Sequence, residues 1–161
     1  MKELLDISRE YITAVRLKGA NAAENGVRQI ELAAYLTHCN LQPAHLALTL
    51  NLAMSQAYKG GNFITAAAFA RRILDLPDGK AEFHKMARRV LQKSEQNARN
   101  ELKLNYDERN PFEIDCRELD PIYRGTSLLR CSFCRSAYTC KMKGQLCTTC
   151  NVALVGIETL G

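Results

Sequence analysis

Residues 130–151, RCSFCRSAYTCKMKGQLCTTCN, hold five of the chain's seven cysteines. Four of them form two matched pairs, Cys131-x2-Cys134 and Cys147-x2-Cys150, with twelve residues between the pairs. Each pair turns tightly enough to offer two sulfurs to one ion, and two pairs supply the four ligands of a tetrahedral site at about 2.3 Å. The twelve intervening residues have the length of a strand, a turn around Lys143-Gly144 and a returning strand, and 151–156 read as a further short strand. The spacing therefore predicts a small β zinc-ribbon-like module over 125–161, with Cys131, Cys134, Cys147 and Cys150 as ligands of a structural Zn2+. A module of about forty residues has too little core to fold unaided, and metal binding worth on the order of 10 kcal/mol is the expected compensation. The competing reading of these residues is four reduced cysteines packed in a small β core.

The remaining cysteines and the histidines narrow the chemistry. Cys140 is expected as a packed thiol on the strand leaving the first turn, and Cys116 is spare. His38, His45 and His84 all fall in the helical part, which excludes a Cys2His2 finger, and four ligands are too few for a two-ion RING module. Neither pair opens a helix after a strand, as thioredoxin-like redox chemistry requires. No glycine-rich phosphate loop, G-x-S-x-G or H-E-x-x-H occurs, and His38 beside Cys39 reads as a helix-end histidine and not as a nucleophilic dyad. No catalytic residue and no enzyme is expected. The start MKELLDISREYITAVR lacks the apolar core of a signal peptide and no window is long enough for a membrane span, so the reading is a soluble intracellular chain with reduced or metal-bound thiols.

The first hundred residues carry the three- and four-residue apolar spacing of helices. Leu4, Ile7, Tyr11 and Val15 mark the first stripe, with a stop at Lys18-Gly19-Ala20-Asn21. Val27, Ile30 and Ala34 mark a second helix ending near Asn40-Leu41-Gln42-Pro43. From Pro43 onward a helical run, a Gly60-Gly61-Asn62 turn, a second run and Leu76-Pro77-Asp78-Gly79 follow one another. Residues 44–77 have the 34-residue length of one tetratricopeptide (TPR) unit, with Ala57-Tyr58, Gly61, Phe63, Ala66 or Ala67, Phe69 and Pro77 at positions like that repeat's packing sites. A last helix from Ala81 to about Asn97 turns Phe83, Met86, Ala87 and Val90 to one face. The expected architecture is mainly α, a TPR-like or α-solenoid layer of about five helices over 1–100, an extended connector over 101–124, and the β module.

Charge leaves one alternative open. Residues 1–100 carry 14 Lys and Arg against 9 Asp and Glu, 101–120 carry 3 against 7, and 121–161 carry 5 against 1. The net charge of +5 is spread out and fits a solvated surface. A ribbon bearing Arg124, Arg130, Arg135, Lys141 and Lys143 could instead track phosphates, so a zinc-ribbon nucleic-acid-binding module is the alternative function.

The segments IELAAYLTHCNLQPAHLALTLNLAMSQAYKGGNFITAAAFARRILDL, LNYDERNPFEIDC, PIYRG and CSFC followed by KGQLCTTCNVALVG resemble the carboxy-terminal domain of the coatomer (COPI) alpha subunit. The resemblance runs from about residue 5 to the end. It implies a non-catalytic scaffold of the coat, a piece of a longer subunit whose upstream propellers recognise dilysine cargo tails. It further implies binding to the coatomer epsilon subunit and other coatomer subunits, and no nucleic acid. The place implied is the cytoplasmic face of the Golgi membrane and the COPI-coated vesicle, in Golgi-to-ER retrograde and intra-Golgi transport. Carried over by position, His38, Asn40, Gln42 and Pro43 fall in a helix-turn-helix corner and Asn110, Pro111 and Phe112 in an NPF segment. Phe112 is then expected in a helical groove, and Tyr123 with Arg124 as a stitch between the ribbon and the helices. Zinc follows from the spacing, and the resemblance adds only partial support.

Overall fold

The helical periodicity resolves into five helices: α1 (Lys2–Ala23), α2 (Gly26–Leu36), α3 (Pro43–Lys59), α4 (Phe63–Asp75) and α5 (Ala81–Gln96). Beyond them lie two antiparallel hairpins, β1 (Phe112–Ile114) with β2 (Pro121–Tyr123) and β3 (Leu129–Arg130) with β4 (Ala137–Tyr138), and a short 3-10 turn at Cys140–Met142. The protein is thus mainly α with a small β module. This computed structural model describes residues 1–77 and 79–157; Asp78 of the expected stop and the last four residues of the expected 125–161 module lie outside the described residues. Two compact units emerge, Leu17–Asn105 in one and Met1–Arg16 with the residues from Tyr106 onward in the other, so α1 contributes to both.

In the unit from Leu17 to Asn105, α2 packs on α3, α3 on α4 and α4 on α5. Pro43 opens α3 at its first turn, where its missing amide hydrogen is not needed, and Gln42 before it is extended as a residue preceding proline must be. Ala53, Ala57, Ala66, Ala67 and Ala70 are buried, and these small side chains let α3 and α4 approach closely around Phe69, which is fully enclosed. The corner joining α3 to α4 depends on Gly60 and Gly61. A Cβ on Gly60 would meet Ile30 Cδ1 at 2.6 Å, and Gly61 sits at φ +78°, a conformation other residues rarely adopt.

Asn62, fully buried, fixes that corner to the chain that follows α5. Its side chain donates to Leu102 O at 3.0 Å and accepts from Leu102 N at 2.8 Å, while Phe63 N donates to Arg99 O and Glu101 N to Gly61 O. The start of the connector thus runs as an extra extended segment along the α3–α4 turn. Asn21, also buried, gathers three helices in the same way. Its amide donates to Gln29 O at 2.6 Å and to Gln56 Oε1 at 2.8 Å.

Four sequence expectations are corrected here. α1 does not stop at Lys18–Asn21 but continues to Ala23, because Asn21 uses its side chain between helices instead of turning the backbone. Leu4, Ile7 and Val15 are exposed at 68%, 55% and 68%, and the buried line of α1 is Thr13, Ala14, Leu17 and Asn21. Two polar members of that line find partners, so periodicity in apolar residues alone selected the wrong face. In α5, Met86 is 47% exposed, and Ala87, Val90 and Ser94 form the buried line. α2 also ends earlier than expected, at Leu36. The Thr37 hydroxyl donates to Ala34 O, and Arg72 donates to both Thr37 Oγ1 and Thr37 O, a cation placed where the helix presents free carbonyls.

In the other unit, Asp115 lies at the end of the first hairpin with no solvent exposure. Its carboxylate accepts from Arg117 N at 2.8 Å, Glu118 N at 3.0 Å and Thr139 N at 2.9 Å, which ties the β1–β2 loop to the chain leaving β4. Replacing either buried polar anchor removes bonds that nothing nearby can remake. Asn62→Ala is expected to lower the unfolding free energy by about 2 kcal/mol in a urea titration, since it strands the Leu102 amide and carbonyl. Asp115→Asn is expected to cost about 2 kcal/mol, because an amide presents two donors and one acceptor to three donors; an unchanged urea midpoint would refute this account.

Candidate metal centre

The two cysteine pairs fold into two copies of one turn. Arg135 N donates to Cys131 O and Asn151 N to Cys147 O, each at 3.0 Å, and Arg135 and Asn151 both adopt positive φ, +63° and +56°. Positive φ after the second cysteine reverses the chain and leaves both thiols of a pair on the same side. Cys131 N then pairs with Ser136 O and Cys147 N with Ala153 O. Isolated bridges Cys131↔Val155 and Leu146↔Leu154 lay the turns side by side.

This brings Cys131, Cys134, Cys147 and Cys150 together with all four Sγ atoms within 4.8 Å of one another. The separations Cys131–Cys150 and Cys134–Cys147 are both 3.6 Å. A tetrahedron of sulfurs at about 2.3 Å from a central ion has edges of about 3.8 Å, so the four thiols fit such an ion. Their surroundings are equally specific. Cys131 and Cys147 are fully buried, Cys134 nearly so and Cys150 partly, in a core completed by Cys116, Tyr138, Met142 and Val155.

Hydrogen bonds set the thiols apart. Burial opposes ionisation of Cys147, but the Tyr138 hydroxyl at 3.1 Å, the amides of Cys150 and Thr149 and the Cys134 thiol outweigh it and bring the group down to about 6. Burial pushes Cys134 up to about 12, with the nearby Cys147 adding to the rise against the Ser136 hydroxyl at 3.1 Å. Burial likewise raises Cys131. Hydrogen bonding thus draws Cys147 toward the thiolate, while burial holds Cys131 and Cys134 toward the thiol.

Side chains from the middle of α1 brace the cysteine turns from a distant part of the sequence. Arg9 donates to Cys134 O at 3.0 Å in the first cysteine turn, and Arg16 donates to Thr148 O at 2.5 Å in the second. Thr13, on the same helix face, lies 3.8 Å from the Cys116 sulfur. Neither arginine nor Tyr138 nor Ser136 stood out in the sequence. The spacing of seven between Arg9 and Arg16, two helical turns, is the only signal they carry.

The strand pattern expected between the pairs forms only in part. β3 and β4 pair as a hairpin, but the chain then makes the 3-10 turn at Cys140–Met142 and a Gly144 turn at φ +77°, with no returning strand among the described residues. Cys140 is exposed, not packed as expected, because it opens that turn; it stands outside the four-sulfur group. Cys116 is buried beside the group, its thiol raised by burial. Phe112 stacks edge-on between Tyr106 at 6.2 Å and Tyr123 at 5.6 Å, and the Tyr123 hydroxyl accepts from Asp107 N. Asn110 donates to Asp107, and Arg124 N donates to Pro111 O across the hairpin. His38, Asn40 and Gln42 lie in the α2–α3 corner, exposed, with Pro43 opening α3.

The whole chain, residues 1–161, matches the family described as the C-terminus of the coatomer (COPI) alpha subunit. Coatomer subunit alpha-1 of Arabidopsis thaliana is 43% identical over 100% of this chain and 13% of its own length. Coatomer subunit alpha of Dictyostelium discoideum is 39% identical over 100% of this chain and 14% of its own, and that of Saccharomyces cerevisiae is 30% identical over 99% and 13%. The chain thus spans about one seventh of the length of the curated relatives it matches. By this match over its whole length the chain belongs to the family formed by the C-terminus of the coatomer (COPI) alpha subunit.

Proposed function

We propose that this chain is a non-catalytic structural and interaction module of the COPI coat, in which Cys131, Cys134, Cys147 and Cys150 hold one structural zinc ion. The observation that carries this reading is the closed four-sulfur group. All four positions around a tetrahedral ion are taken by the chain, so no position is left for water or substrate, and the ion would supply only cross-linking. The apolar side chains left at the surface support an interaction role. Leu4, Ile7 and Val15 line α1, and Phe133, Val152 and Leu154 cluster on the cysteine turns. The partner is the coatomer epsilon subunit, with the other coatomer subunits, in Golgi-to-ER retrograde and intra-Golgi transport. Membrane association is peripheral, on the cytosolic face through the assembled coat; no helix among the described residues is long and apolar enough to cross a membrane.

Nucleic-acid binding is the less favoured reading, because Arg130 is engaged by Glu113 and the Arg135 carbonyl, which leaves fewer free cations on the module. Two measurements test the proposal. Elemental analysis of the purified chain is expected to give close to one zinc per molecule; a well-folded, metal-free protein would sink the zinc assignment. Purified epsilon subunit is expected to bind the chain with little change between about 50 and 200 mM salt, whereas a phosphate-tracking surface would lose roughly a thousandfold in affinity for a nucleic acid over that range. Absence of epsilon binding would remove the partner from the proposal.

A further inference from the structure

Tyr138 is buried without solvent exposure, and its hydroxyl sits among four polar neighbours. Cys147 Sγ lies at 3.1 Å, Thr148 Oγ1 at 3.0 Å, Thr149 Oγ1 at 3.2 Å, and Thr148 N donates to the phenolic oxygen at 3.0 Å. A phenol has one proton and two lone pairs. The Thr148 amide and one threonine hydroxyl fill the lone pairs. Cys147, as a metal-bound thiolate, can only accept. The phenolic proton therefore has one partner that cannot supply a proton of its own, the sulfur, and one threonine can turn its own proton toward the oxygen.

We infer that Tyr138 is a positioning residue of the metal centre, donating its phenolic hydrogen bond to the Cys147 thiolate and so fixing that ligand's orientation and charge. The inference rests on the zinc reading. It makes the four sulfurs unequal, because Cys147 receives the Tyr138 hydroxyl and the Thr149 amide, Cys134 receives the Ser136 hydroxyl, and Cys131 and Cys150 receive no side-chain hydroxyl among the described residues. Hydroxyl donation to a thiolate drains charge from it and holds the side chain in its binding rotamer.

The test compares the whole chain with Tyr138→Phe, which keeps the ring and removes only the hydroxyl. Zinc affinity, measured by competition with a chromogenic chelator, is expected to fall 10- to 100-fold. With Co2+ in place of zinc, the sulfur-to-metal charge-transfer band is expected to move to lower energy, since an undonated thiolate releases its electrons more readily. A merely structural tyrosine would not shift that band. Should the phenylalanine variant fail to fold, 3-fluorotyrosine in the unaltered sequence keeps the ring in place, and its stronger donation is expected to move the band to higher energy. An unmoved band in the folded variant, or in the fluorinated protein, overturns the role of Tyr138 and leaves the zinc site standing. A wild-type chain that takes up neither zinc nor cobalt overturns both.

Discussion

Two guanidinium groups on one face of α1 govern the geometry of the cysteine module. Arg9 and Arg16 stand two helical turns apart, about 10 Å along the axis, and each grips the carbonyl of one cysteine turn. Both carbonyls belong to peptides that do further work. The peptide whose oxygen Arg16 holds, Thr148–Thr149, points its N–H at Cys147 Sγ at 3.4 Å. The peptide whose oxygen Arg9 holds, Cys134–Arg135, donates its N–H to Cys131 O. A charge on the oxygen polarises the amide at the other end, so each arginine strengthens the bond that shapes its turn. One helix thus braces both turns, whose four sulfurs lie within 4.8 Å of one another.

The four clustered cysteines are legible in the sequence because their geometry is local. A C-x2-C turn depends on a handful of consecutive residues, and the left-handed Arg135 and Asn151 are its only unusual demand. What closes the module around the turns was not legible, since it arrives from residues more than a hundred positions away. α1 shows why. Its apolar stripe of Leu4, Ile7 and Val15 was the natural candidate for burial, yet the buried line is Thr13, Ala14, Leu17 and Asn21. Hydrophobic periodicity finds a helix and not the face it buries when polar residues on that face are satisfied by carbonyls and amides elsewhere.

The α3–α4 corner divides in the same way. Gly60-Gly61-Asn62 announced a turn, and the structure places one there for the reasons turn chemistry gives, a left-handed Gly61 and a Gly60 with no room for a Cβ. The 34-residue spacing and the buried alanines likewise foretold a close pair of helices. Asn62 was read only as part of the turn, although its side chain is the element that recruits residues 99–102 as an extended edge. An asparagine in a turn looks the same in sequence whether it satisfies its own backbone or bonds to a chain forty positions later.

If the four cysteines held a divalent ion as thiolates, the group would carry a formal charge of −2, which a small apolar core tolerates only if donors surround it. This module supplies them from every level of its structure. Turn amides from Cys150 and Thr149 reach Cys147, the Tyr138 and Ser136 hydroxyls reach Cys147 and Cys134, and Arg9 and Arg16 add positive charge behind the turns. Those same donors account for the unequal thiols, since Cys147 gathers enough of them to overcome its burial and Cys134 does not. The arrangement suits a cross-link better than a reaction centre. The donors to Cys147 and Cys134 hold those sulfurs in place, and with an ion bound, full coordination would leave no site for a second reactant. Such bracing also holds the exposed apolar side chains on the cysteine turns themselves, Phe133 and Val152, in a fixed geometry.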